Sequence, residues 1–218
     1  MTTPQTDDVE AIARKIQAEA GGFTGGPVEH FESIGRYTLE SLEQCGMVPS
    51  SKVLDVGCGA LRLGYWLVRY LDADCYCGLE PTRRYVEIGL KYAVGPELEA
   101  QKRPRFDHNT DFDFSPFGVK FDFMVARSIF SHASPNMIGK AMESFRDNSS
   151  DKAVMLASYN RLKRAESGDV VDVLQRGEWS WRKYSPAFLQ NMARERGIKA
   201  EDFRDPFNKQ VWLKLTKS

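Results

Sequence analysis

With 218 residues the chain can bury the core of one α/β domain and is short for two. Lys+Arg 30 against Asp+Glu 30 gives a formal net charge of +0, so the basic excess that a nucleic-acid partner calls for is missing. Four cysteines, Cys45, Cys58, Cys75 and Cys77, form no C-x-x-C pair and match no His spacing, which predicts reduced thiols in a cytoplasmic protein and no metal site. Met1 to Asp8 is polar and acidic without the apolar region of an export signal, and no run approaches the roughly eighteen apolar residues of a membrane span. Val9, Ile12, Ala13 and Ile16 at helical spacing predict an amphipathic helix over 8–20, ending in the glycine-rich joint 21–27. A second helix over about 29–45 turns Phe31, Ile34, Leu42 and Cys45 inward and is closed by Gly46 and Pro49. Residues 1–49 are thus an appendage to the domain over 50–218, either a lid on a glycine joint or helices simply packed on the sheet.

The first strand, over 52–56, stops at the turn Asp55-Val56-Gly57-Cys58-Gly59, after which a helix is expected to bury Leu61, Trp66, Leu67, Tyr70 and Leu71. The second strand, Cys75 to Glu80, ends in an acid, and Pro81 suits the first position of a helix running to Val94. A third strand is expected over 104–108 and a fourth at Phe121 to Ala126. Ser134-Pro135 then caps a helix with Ile138, Met142 and Phe145 inward. The fifth strand covers Ala153 to Tyr159, and 160–183 reads as an irregular charged insertion. Ser185-Pro186 starts the last helix, with Phe188, Leu189 and Met192 buried. Strands over 198–203 and 210–215 follow, joined by a turn at Asp205 to Asn208. Alternating strands and helices give an α/β fold: a Rossmann-like, seven-stranded, mostly parallel sheet with helices on both faces and a C-terminal antiparallel hairpin.

Glycines after a buried parallel strand permit positive φ and let a ligand approach the backbone. A carboxylate at the tip of the second strand, Glu80, stands where it can accept both hydroxyls of a ribose. A dinucleotide fingerprint adds a third glycine for close helix packing, yet here the next glycine is Gly64, two places late. Asp55 beneath the turn is unhelpful to a pyrophosphate and favourable to a ligand bearing ammonium and sulfonium charges. An NAD-linked oxidoreductase is therefore the weaker reading.

The Asp55–Gly59 turn, Glu80, the Phe121–Ser128 strand and the C-terminal hairpin together resemble class I S-adenosylmethionine-dependent methyltransferases, over about residues 50–216. The resemblance implies S-adenosylmethionine as cofactor. It places Asp55, Gly57, Cys58 and Gly59 at the methionine part, Glu80 with Pro81 at the ribose, Asp111 and Phe112 at the adenine, and Arg127 at the methionine end. Asp107, Asn109 and Asp113 compete with Asp111. Arg127 either takes that role or pairs with a helix.

Methyl transfer needs a positioned nucleophile and, for a hydroxyl, a base of near-neutral pKa. Of the three histidines, His132 follows the fourth strand on the ligand side and is expected as base or substrate-orienting group, the alternative being a helix cap. His30 and His108 read as surface and structural residues. Tyr159 and Asn160 at the end of the fifth strand are expected to touch the acceptor, and Trp179, Trp181 and Tyr184 in the insertion either wall an acceptor pocket or serve as core. Arg36 and Tyr37 are weaker candidates of the same kind. No Asn-Pro-Pro-Tyr run, paired-Glu loop or His/acid cluster points to base, arginine or metal-dependent catechol substrates. The expected activity is metal-independent O-methylation of a small molecule of specialised metabolism. Peptide or sugar methylation, and a non-catalytic S-adenosylmethionine-binding module, stand as alternatives. No signal for oligomeric state is present.

Overall fold

The computed structural model describes residues 9–21, 27–163, 168–176, 179–207 and 209–218, with the side chains of 174–176, 179 and 204–207 outside that description. In chain order the elements begin with α1 (Val9–Ala20), α2 (Phe31–Gln44), β1 (Val53–Val56), α3 (Gly64–Tyr70), β2 (Tyr76–Leu79) and α4 (Arg83–Gly89). They continue with α5 (Pro96–Lys102), β3 (Arg105–Asp107), β4 (Phe121–Ala126), α6 (Pro135–Asn148) and β5 (Ser149–Arg161). Last come β6 (Val170–Arg176), β7 (Trp179–Tyr184), α7 (Pro186–Arg194), β8 (Ile198–Phe207) and β9 (Gln210–Lys217). The chain clusters into two compact units, Met1–Ser51 with Gly57–His108, and Lys52–Val56 with Asn109–Ser218. The N-terminal helices share a unit with residues 57–108.

In the first unit α1 buries Ala13 and Ile16, as their spacing predicts. Its end is tied down by Glu19, whose carboxylate accepts from the Tyr92 hydroxyl at 2.6 Å and from Lys91 Nζ at 2.7 Å. Arg84 Nη2 adds a bond to the Glu19 carbonyl at 3.0 Å. Tyr92 and Lys91 lie on a π-helical turn, Leu90–Val94, that continues α4. In α2, Phe31, Ile34 and Leu42 face inward, whereas Cys45, just past the helix end, is only half-buried. Gly35 is required by packing, since a Cβ there would fall 2.1 Å from the Trp66 indole nitrogen. Strands β2 and β3 pair in parallel with Gly78 opposite Phe106. A Cβ on Gly78 would meet both the Phe106 ring and Cys58 Sγ at 2.8 Å.

The second unit holds β1, β4 and β5 in parallel, with Asp55 opposite Val125 and Val125 opposite Leu156. Strand β9 lies antiparallel on β5 from Val154–Thr216 to Tyr159–Val211, and β8 lies antiparallel on β9. Ser134 and Ser185 cap α6 and α7 as expected, accepting the N–H of Met137 at 3.3 Å and of Phe188 at 3.1 Å. Ile138, Met142 and Phe145 are buried, as is Leu189 on α7. Parallel central strands, connecting helices and an antiparallel C-terminal pair make this a mixed α/β protein.

The structure corrects several expectations. Residues 160–183 are not wholly irregular, because β6 and β7 form a hairpin that joins the end of β5 through Asn160–Lys183 and Arg161–Tyr184. The described residues therefore hold nine strands where seven are predicted. The C-terminal strands reach Phe207 and Lys217, so the expected four-residue turn is shorter. Helix α3 begins only at Gly64, because Leu61 takes a left-handed φ of 60° that no helix admits. Helix α4 begins at Arg83, with Thr82 extended at its N-cap and Pro81 exposed before it.

Candidate cofactor loop and the loop after β4

Gly57 and Gly59 carry φ of 72° and 52°, a region that costs a side-chain-bearing residue and costs glycine little. The turn they make folds over the end of β2: the N–H groups of Gly57 and Cys58 donate to the Leu79 carbonyl at 2.7 and 3.1 Å. The next residue, Glu80, completes the turn. Its Oε2 accepts the Gly59 N–H at 3.1 Å and its Oε1 the Thr82 N–H at 2.9 Å. His108, read from sequence as structural, places Nδ1 at 2.6 Å from the Glu80 carbonyl, so this ring nitrogen carries the proton and donates it. Backbone and side chain of Glu80 are thus fixed from both sides. Cys58 is buried, and Gly89 packs on the residues just after the turn, where a Cβ would stand 2.7 Å from the Ala60 carbonyl carbon. Gly57, Cys58, Gly59 and Glu80 come together as expected; Gly89 and Thr82 are partners that carry no local sequence signal.

In the second unit Asp55 is buried in β1 at 3% exposure. Between β3 and β4, Asn109 ties the loop by donating to the Asp113 carbonyl at 2.8 Å and accepting the Asp113 N–H at 3.1 Å. Asp113 in turn accepts the Ser115 N–H at 2.9 Å. This assigns Asn109 and Asp113 to building the loop. Asp111 is exposed, beside a half-buried Phe112 at φ 60°.

The loop after β4 is held by a polar cluster. Arg127 Nη1 donates to Ser158 Oγ at 3.0 Å and to Gln210 Oε1, and its guanidinium lies 5.4 Å from the Trp212 ring centroid. Arg127 is therefore bound to β5 and β9. Ser128 takes a φ of 61° while its N–H donates to Ser158 Oγ at 2.7 Å. His132 is half-buried. Burial pushes its pKa below the ordinary value of 6.5, the neighbouring Arg182 adds to this, and a ring hydrogen bond to the Ser180 backbone opposes it. Because that bond favours the charged ring, the Ser180 carbonyl accepts from it. One ring nitrogen thereby keeps its proton while the other, Nδ1, is buried. Arg182 fastens the same loop, donating its N–H to the Ser131 carbonyl at 2.8 Å and Nη1 to the His132 carbonyl at 2.6 Å. Arg182 is itself paired with Asp172 at 2.7 Å.

The aromatic candidates for acceptor contact are mostly internal. Tyr159 is fully buried and donates its hydroxyl to Asp202 at 2.8 Å, an arrangement that raises its pKa through burial and the nearby carboxylate. Tyr184 is fully buried too, donates to the Ala133 carbonyl at 2.6 Å and has its pKa pushed up to about 12 by burial. Asn160 spends its amide on the Arg182 carbonyl at 3.0 Å. These three side chains hold the hairpin and the His132 loop in place. The Trp179 side chain lies outside the described residues, whereas Trp181 is exposed. Arg36 stacks over Trp66 at 4.4 Å and pairs with Glu32.

The fold has counterparts among known structures. A glycopeptide N-methyltransferase, MtfA, superposes with a TM-score of 0.63 at 15% identity, over 84% of this chain and 90% of its own. An S-adenosylmethionine-dependent methyltransferase from Clostridium acetobutylicum ATCC 824 gives 0.63 at 11%, over 86% and 92%. DhpI, solved with SAH, gives 0.62 at 15%, over 96% of each chain. The chain has the class I methyltransferase fold. No protein-family model matches the sequence. In this methyltransferase fold the turn after β1 and the loop after β4 follow the carboxyl ends of strands, where α/β proteins bind ligands. Among the described residues no helix is long and apolar enough to cross a membrane.

Proposed function

We propose that this protein is an S-adenosylmethionine-dependent methyltransferase whose acceptor is a hydroxyl of a small molecule. The observation that carries the reading is the Glu80 carboxylate, fixed by the N–H groups of Gly59 and Thr82 at the edge of a glycine turn. A carboxylate has about four lone-pair positions, so two stay available for a vicinal diol. A ribose fits this donor-and-acceptor set, and the tight positive-φ turn keeps side chains away from it. Structures of MtfA in complex with S-adenosylmethionine, S-adenosylhomocysteine and sinefungin support the choice of cofactor. Asp55, Cys58 and Arg127 are assigned to the methionine part, Pro81 to the ribose, and Asp111 with Phe112 to the adenine.

When bound, S-adenosylmethionine supplies an electrophilic methyl group on a sulfonium. The chain's own residues have three tasks: Glu80 binds and orients, the turn from Gly57 to Gly59 makes room, and His132 handles the proton. With its pKa below 6.5, His132 is neutral at physiological pH, and its buried Nδ1 is assigned as the atom that takes the proton of an acceptor hydroxyl. In that transfer the His132 imidazole would take the proton of the acceptor hydroxyl as the oxygen displaces the sulfonium sulfur.

A second reading, transfer to an amine of a peptide, is favoured by the likeness to MtfA, a glycopeptide N-methyltransferase. A neutral His132 serves an ammonium acceptor equally well. Calorimetric titration with S-adenosylmethionine and with NAD tests the cofactor: binding of the first alone is expected, and binding of NAD alone overturns the reading. Labelled methyl transfer into fractionated metabolites and peptides then separates oxygen from nitrogen acceptors.

A further inference from the structure

The side chain that organises the loop after β4 comes from the last strand. Gln210 Oε1 accepts from Ser158 Oγ at 2.7 Å, from Ser128 Oγ at 3.1 Å and from Arg127 Nη1. Its Nε2 donates to Ser131 Oγ at 3.2 Å, and Ser131 Oγ donates onward to the Ser128 carbonyl at 3.0 Å. Ser131 and Ser158 are buried, at 0% and 1% exposure. One amide therefore closes a ring through three residues of the loop and one of β5, and the ring ends at the residue preceding His132. Hydroxyls buried this deeply are costly to leave unmatched, so the loop has little freedom to take another shape while the amide is in place. The left-handed φ of 61° at Ser128 shows that the loop's path is imposed, since serine seldom adopts it unaided.

We propose that Gln210 is a positioning residue for methyl transfer: it sets the loop that carries Arg127 and His132 without touching substrate. This rests on the methyl-transfer reading and adds a residue to it. A carbonyl oxygen shared by three donors is served better by a carboxylate, so Gln210→Glu keeps that half of the ring and loses only the donation to Ser131. Gln210→Leu removes both halves at similar volume.

The test uses the full chain and both variants, with binding and transfer measured at pH 8. It compares thermal midpoint, S-adenosylmethionine binding by calorimetry, transfer of labelled methyl from S-adenosylmethionine into a metabolite extract, and the NMR titration of the His132 ring. Gln210→Leu is expected to slow transfer about 10- to 100-fold at saturating S-adenosylmethionine, as small misplacements of reacting groups do. Gln210→Glu is expected to keep transfer within about threefold of the unsubstituted chain and to raise the His132 titration midpoint, because a new carboxylate favours imidazolium. Transfer within about twofold in the Leu variant, or equal losses in both variants with the His132 midpoint unmoved, overturns the positioning role. If the Leu variant does not fold, the His132 midpoint of the Glu variant decides alone, and an unmoved midpoint overturns it. An unsubstituted chain that binds no S-adenosylmethionine removes the methyl-transfer reading itself, and a result of that kind needs no variant to be seen.

Discussion

The Glu80 carboxylate holds the Gly59 backbone N–H at 3.1 Å, joining the strand-end acid to the glycine turn before any ligand is considered. The acid has two tasks: it shapes the turn, and it faces the position where a ribose is proposed. Glu80→Gln keeps one acceptor oxygen but puts an NH2 where the other stood, so one of the two N–H groups it serves is left facing a donor. The expected outcome is at least about tenfold weaker S-adenosylmethionine binding and a stability loss of about 0.5–1.5 kcal/mol, read by calorimetry and urea unfolding. Unchanged affinity removes Glu80 from the site.

Gly89 tests the packing beneath the same turn. A Cβ at this position lies 2.7 Å from the Ala60 carbonyl carbon and 2.6 Å from Leu61 Cγ, and backbone cannot move aside as a flexible side chain does. Gly89→Ala is expected to destabilise the chain by about 1–3 kcal/mol, in spite of alanine's better helix propensity. S-adenosylmethionine affinity should fall with it. A variant at least as stable as the unsubstituted chain contradicts the packing described.

The depressed pKa of His132 has a sign that can be checked. A neutral ring is favoured in the folded state, so its contribution to stability is present above the ordinary value of 6.5 and is lost as pH falls through the folded pKa. Unfolding free energy should therefore decline on acidification below about pH 6.5, and His132→Gln should flatten that part of the curve. The same neutral ring predicts that the acid limb of kcat/KM lies below pH 6.5. His132→Gln should lower transfer by about 100- to 10,000-fold with S-adenosylmethionine affinity retained. Near-normal turnover excludes the base role.

Tyr159 offers the opposite contrast. Its hydroxyl ends on Asp202, which also pairs with Arg161 at 2.9 Å. Tyr159→Phe is expected to cost about 0.5–1.5 kcal/mol in thermal or urea unfolding and to leave methyl transfer within about twofold. A large loss of turnover with stability intact returns this residue to the acceptor site.

Most of the fold could be read along the chain. The strand at Phe121–Ala126 matches its apolar run, and the caps at Ser134 and Ser185 stand where Ser-Pro places them. Misplaced boundaries have local causes of another kind: Leu61 at positive φ delays α3, and the hold of Glu80 on Thr82 delays α4. The hairpin of β6 and β7 escaped because its strands are charged and interrupted by a register shift between Asp172 and Leu174, which hides the alternation that marks a strand. For the candidate site, Gly57, Gly59 and Glu80 were visible because a turn and a strand end are local events. The internal partners of Tyr159, Asn160 and Tyr184 were not legible, because a polar aromatic or amide near a strand end looks the same whether it meets solvent or a buried acceptor.

The sequence by itself determined the α/β order, the glycine turn, the strand-end acid and the helix caps, since each depends on the backbone preferences of a few neighbouring residues. Only the tertiary structure decided that Gln210 binds Arg127, that Tyr184 serves Ala133, and that Gly89 must lack a side chain. Those partners are tens of residues apart. Their hydrogen bonds and close contacts exist only once burial has removed water as the alternative, and no local pattern encodes that condition.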